Sequence, residues 1–171
     1  RFWKPLAAHL RGEIPQNPWG IKGDLLKLNW LTKAPKSVLT GQMTGGNLCV
    51  LASMIGTPYM PTLFGKILFL EETTESLYRV DRMVEQLKLS GVLEGVKAIV
   101  LGTFDRCEDK VPQTLGGKLR PVLSPERGLK AIFASLGEEL KIPVARGIPS
   151  GHASLKLAGG SIPMGETTYK V

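Results

Sequence analysis

"KILFLEETTESLYRVDRMVEQLKLSG", Lys66 to Gly91, decides how the rest of the chain is read. After the lysine, the run to Leu70 is continuously apolar, the pattern of a strand covered on both faces. Leu77, Val80, Val84 and Leu87 then recur at three- and four-residue steps, which predicts an amphipathic helix closed by Gly91. A buried strand passing straight into a helix is half of a βαβ unit. Between the two stand adjacent carboxylates, Glu71 and Glu72. They are either a solvated turn ahead of a helix, where acids suit the positive dipole end, or part of a site.

Working outward, the same grammar repeats. Upstream, "TGGNLCVLASMIGTPYMP" (Thr44–Pro61) follows a short predicted strand at Ser37–Thr40. It reads as a Gly45-Gly46 turn, Asn47 as N-cap, a helix over Leu48–Ile55, and a stop at Gly56 and Pro58. Downstream, Val96–Phe104 reads as a second buried strand and Asp105–Arg120 as a polar loop. Ser124-Pro125-Glu126 opens a helix with a proline at its first position, and Leu129, Ile132, Phe133 and Leu136 form its apolar face. A last strand lies within Lys141–Ile148, and the chain ends in short β pieces. Strands alternating with helices predict an α/β fold with a mainly parallel sheet. Two amphipathic helices are few for such a sheet, so the terminal segments are expected to add a smaller antiparallel layer.

Residues 1–36 carry Pro5, Pro15, Pro18 and Pro35 with Gly12, Gly20 and Gly23, and read as a lead-in ahead of one domain over 37–171. A chain of 171 residues that is 43% hydrophobic is long enough for a sizeable core. No stretch approaches the roughly 20 apolar residues of a membrane span. The chain starts at Arg1, which suggests a piece of a longer product. The net charge of +7 comes from scattered Lys and Arg that do not interleave with aromatics. That argues against nucleic acid as the partner and for a surface that attracts an acidic substrate. Cys49 and Cys107 lack CxxC spacing and read as small buried apolar groups in a reducing compartment.

Candidate chemistry is sparse. There is no G-x-S-x-G elbow, P-loop, H-E-x-x-H or G-x-G-x-x-G, so no cofactor or metal is expected, and no zinc spacing is present. Of the two histidines, His9 lies in the irregular lead-in and reads as a surface residue. His152 follows the last strand and Pro149. Open α/β sheets carry functional groups just beyond the carboxyl ends of their strands, and Glu71 and His152 both fall there. A carboxylate on one imidazole nitrogen fixes the tautomer while the other nitrogen takes a hydroxyl proton. Against this, a loop histidine bonded to backbone and a solvated acidic turn would account for each residue separately.

The segments "TGGNLCVLASMIGTPYMP", "GKILFLEETTESLYRVDRMVEQLKLSG", "AIVLGTFDRC" and "IPSGH", then "SIPMG", occur in this order. Together, from about Gly41 to Gly165, they resemble the C-terminal part of the muramoyltetrapeptide LD-carboxypeptidases. That serine peptidase family includes the microcin C immunity enzymes. The resemblance implies a swivelling β/β/α-type domain and a two-domain enzyme, usually a homodimer. An N-terminal domain, absent from this chain, would bring the serine nucleophile and the oxyanion hole. Glu71 in "LFLEE" would match the catalytic glutamate and His152 in "IPSGH" the general base. The substrate would be a murein tetrapeptide that loses its terminal D-alanine, in the cytoplasm, and this chain alone would be inactive. Asp81 and Arg82 of "DRM" are expected to be structural anchors, and the loop Cys107–Pro121 is longer than the family pattern. The alternatives are a microcin-immunity-type peptidase and a non-catalytic module for peptide binding or dimerisation.

Overall fold

The structure, a computed structural model, describes residues 28–37, 39–108, 125–148, 151 and 167–170. Within them the chain runs β1 (Asn29–Trp30), β2 (Thr40–Asn47), α1 (Leu48–Ser53), β3 (Ile67–Thr73) and α2 (Leu77–Leu89). It continues through β4 (Ala98–Asp105), α3 (Pro125–Leu140), β5 (Val144–Arg146) and β6 (Thr167–Lys170). Among the described residues these strands form one six-stranded sheet in the order β1-β5-β4-β3-β2-β6. The four central strands are parallel, and β1 and β6 pair antiparallel at the two edges. The fold is therefore mixed α/β with a mainly parallel sheet. Its antiparallel component takes the form of edge strands.

The order of the parallel strands fixes where the helices go. β2, β3, β4 and β5 step across the sheet in one direction. Right-handed crossovers that all step the same way lay their helices on the same face. Leu68 and Leu70 of β3, Ile99 and Leu101 of β4 and Val144 of β5 accordingly pack in one cluster with α1, α2 and α3. In α2 the buried side chains are the anticipated Leu77, Val80, Val84 and Leu87, joined by Met83. Phe104 meets Phe133 of α3 edge-on, at 5.3 Å between ring centroids. The alternate residues, Ile67 and Phe69 of β3 with Ala98 and Val100 of β4, form a second buried cluster on the opposite face. Leu39, Met43 and Ile148 pack against it.

Three sequence expectations are corrected. The strand expected at 37–40 instead spans Thr40–Asn47 and includes the glycines read as a turn. Gly45 is paired with Phe69 at φ +122°, and a Cβ there would collide with the Phe69 carbonyl oxygen and lie 2.9 Å from Leu68 Cδ1. A residue without a side chain is what allows the two backbones to approach so closely. Glu71 and Glu72 lie inside β3, which extends to Thr73, and not beyond its end. Cys49 is exposed and only Cys107 is buried, because Cys49 falls on the outer side of the first turn of α1. No helix among the described residues is long and apolar enough to cross a membrane.

Candidate active site

Side chains alternate across a strand, so Glu71 and Glu72 leave β3 on opposite faces. Both are buried, at 6% and 3% relative exposure, which excludes the reading of a solvated turn for either. Their surroundings differ completely.

Glu72 faces the helices. Its Oε1 accepts hydrogen bonds from Asn47 Nδ2 at 2.7 Å and from its neighbour's Thr73 N–H at 2.9 Å. Its Oε2 accepts from the Cys49 N–H at 2.8 Å. Asn47 is the N-cap of α1, as the sequence indicated, and its Oδ1 accepts from the Val50 N–H at 3.1 Å. The first turn of a helix has N–H groups with no intrahelical partner, and α1 has no acid of its own there. Glu72 supplies one from the adjacent strand, so this carboxylate joins β3 to the start of α1.

Glu71 faces the other way. Against its carboxylate lies Gly151, at φ +133°. A Cβ built on Gly151 would fall 3.0 Å from Glu71 Oε2 and 3.2 Å from Glu71 Cβ, and closer still to Thr103 Oγ1. The backbone at 151 is thus pressed between the Glu71 and Thr103 side chains. Gly151 immediately precedes His152, and His152, like His9, lies outside the described residues. The residue before the predicted general base therefore lies against the predicted acid, eighty positions away in sequence.

Two further features surround this edge. The Thr73 hydroxyl is, among the described residues, the buried side-chain polar atom with no hydrogen-bond partner. Cys107 is buried beyond the end of β4, and burial, helped by the nearby carboxylates Glu72, Asp105 and Glu75, pushes its thiol up. A thiol held protonated in this way is a poor nucleophile. Among the described residues no three His, Cys, Asp or Glu side chains converge as a metal site. A separate cavity of about 320 Å³ lies on the helix side, lined by Leu31, Leu101, Phe104, Leu129, Lys130 and Arg146. Arg146 donates to Glu126 at its rim at 2.7 Å. Asp81 and Arg82, expected as anchors, are exposed on α2 and have no polar partner among the described residues.

Sequence reasoning singled out Glu71 but gave no weight to Thr103 or Gly151. Gly151 could have been noticed as the glycine abutting His152. Nothing in the sequence marks Thr103, because its position depends on an irregularity in the sheet.

The sheet thus carries its helices on one face and a buried carboxylate, Glu71, on the other, toward the C-terminal end of β3. The family model described as the LD-carboxypeptidase C-terminal domain matches residues 40–168. The chain belongs to the LD-carboxypeptidase family and carries its C-terminal domain. It is 35% identical over 139 residues to a probable murein peptide carboxypeptidase of Bacillus subtilis, covering 81% of this chain and 39% of that protein. The crystal structure of muramoyltetrapeptide carboxypeptidase from Oxalobacter formigenes is 36% identical and superposes with a TM-score of 0.54, over 80% of this chain and 41% of that one. The microcin C7 self-immunity protein MccF in complex with aspartyl sulfamoyl adenosine is 26% identical with a TM-score of 0.54, over 85% and 36%. The chain spans about two fifths of the length of the relatives it matches.

Proposed function

We propose that this chain is the acid-and-base half of a serine LD-carboxypeptidase that releases the terminal D-alanine of murein tetrapeptides. The serine belongs to an N-terminal domain outside this chain, and the domain built on the β1–β6 sheet completes the site. His152 takes the proton of the serine hydroxyl as it attacks the L–D amide carbonyl, then delivers it to the departing amine of D-alanine. Glu71 holds the imidazole in one tautomer and stabilises its charged form. The complete enzyme is a cytoplasmic homodimer on this reading.

One observation carries the reading. The Glu71 carboxylate is buried at the strand edge with the backbone of Gly151, the residue before His152, lying against it. Glu72 cannot share the role without giving up the Asn47, Cys49 and Thr73 donors. The family membership supports the reaction class.

The test is D-alanine release from a murein tetrapeptide by the complete protein. Glu71→Gln and His152→Ala are each expected to lower kcat by about 10²-fold or more, since members of such a unit act together. Near-normal turnover in either variant refutes its role. The isolated 171 residues should release none. A second reading, an immunity-type peptidase acting on an aminoacyl sulfamoyl nucleoside, is favoured by the likeness to MccF bound to aspartyl sulfamoyl adenosine. Assaying both substrates with the complete protein separates the two readings.

A further inference from the structure

The β3–β4 ladder is regular from Ile67–Ala98 to Leu70–Leu101 and then slips. Glu72 pairs with Phe104, so two steps along β3 match three along β4. The extra residue is a β-bulge opposite Glu71, and a bulge inverts the facing of the residues after it. Ile99 and Leu101 face the helices. By plain alternation Thr103 would join them and Phe104 would face away. Instead Phe104 packs on Phe133 among the helices, and Thr103 is turned to the Glu71 face, against Gly151.

From this geometry we infer that Thr103 and Gly151 are positioning residues that seat the backbone ahead of His152 against the Glu71 carboxylate. The proposal rests on the Glu71/His152 reading above and adds how the pair is aimed. Gly151 brings no side chain, which lets its backbone lie against both Glu71 and Thr103. Its φ of +133° is one that L side chains rarely adopt, so the direction in which the chain leaves toward residue 152 depends on glycine. The Thr103 side chain closes the seat from the β4 side, and its hydroxyl oxygen is the atom nearest to where a Gly151 Cβ would stand. Neither residue needs to touch substrate. Their effect is on the distance and angle between carboxylate and imidazole, where a misplacement of about 1 Å can remove about 10²-fold in rate.

The experiment uses the complete protein on a murein tetrapeptide, with Glu71→Gln and His152→Ala as reference variants. Thr103→Val keeps the volume and removes the hydroxyl. It is expected to lower kcat about 10-fold while KM changes less than about two-fold, the pattern of a loss felt in the transition state. It should also move the acid limb of the kcat/KM profile to lower pH, because an imidazole held less closely by a carboxylate binds its proton less tightly. Thr103→Ser should restore both. Gly151→Ala is expected to lose about 10²-fold or more, and if it fails to fold, the Thr103 variants decide the matter. Wild-type kcat and an unmoved acid limb in Thr103→Val, with both reference variants inactive, overturn the seat and leave the triad standing. A loss confined to KM, or one that serine does not restore, also overturns the seat. Full activity in the reference variants overturns the triad reading itself.

Discussion

On the helix side of β3, Glu72 receives three hydrogen bonds from the turn between β2 and α1 and from its own strand. One residue earlier, on the other side, Glu71 lies against Gly151, a glycine brought from eighty positions away. The two carboxylates have the same chemistry, nearly the same burial and adjacent places in the chain. What separates them is the pleat of one strand. A carboxylate whose oxygens are taken by nearby backbone and a capping asparagine holds structure together. Glu71 instead has the backbone of Gly151 against its carboxylate, which supports the orienting role proposed for it.

That division can be broken by measuring stability beside activity. The largest effect on folding is expected from Glu72→Ala, which strands two donors at the start of α1 and a third on β3. The complete chain should lose about 3 kcal/mol in urea denaturation, given that each orphaned buried group costs about 1–3 kcal/mol. A loss below about 1 kcal/mol would show that Glu72 does not tie β3 to α1. Asn47→Ala removes both the cap to Val50 and a bond to Glu72, and should cost about 1–2 kcal/mol. Finding no loss would mean that Glu72 caps α1 unaided. The smallest effect concerns Thr73, two residues after Glu71 on the same face. Thr73→Val replaces a buried, unpartnered hydroxyl with a methyl group of similar shape, and should raise stability by up to about 1 kcal/mol. A loss instead would show that the hydroxyl is bonded in solution.

Much of the scaffold was legible because it depends on local periodicity. The apolar run at Ile67–Leu70 and the three- and four-residue spacing from Leu77 to Leu87 name a strand and a helix without reference to anything distant. The Asn47 cap was legible for the same reason, since its partner is three residues away. Where the reading slipped, the deciding contact was remote. Gly45 and Gly46 resemble a turn until β3 pairs with them, and the strand then continues through both. Cys49 passes for a core residue until α1 is docked and its first turn is seen to face outward. Glu72 gives no sign in the sequence that its partners are Asn47 and Cys49, more than twenty positions earlier.

By itself the sequence determined the central strands β3 and β4, the helices α1 to α3, their alternation, and the residue types capable of acid–base chemistry, because all of these follow from spacing along the backbone. Only the tertiary structure decided that Glu72 is tied to the start of α1, and that a bulge turns Thr103 toward Glu71. Those outcomes depend on the register between strands, where one added residue moves a side chain from one face of the sheet to the other.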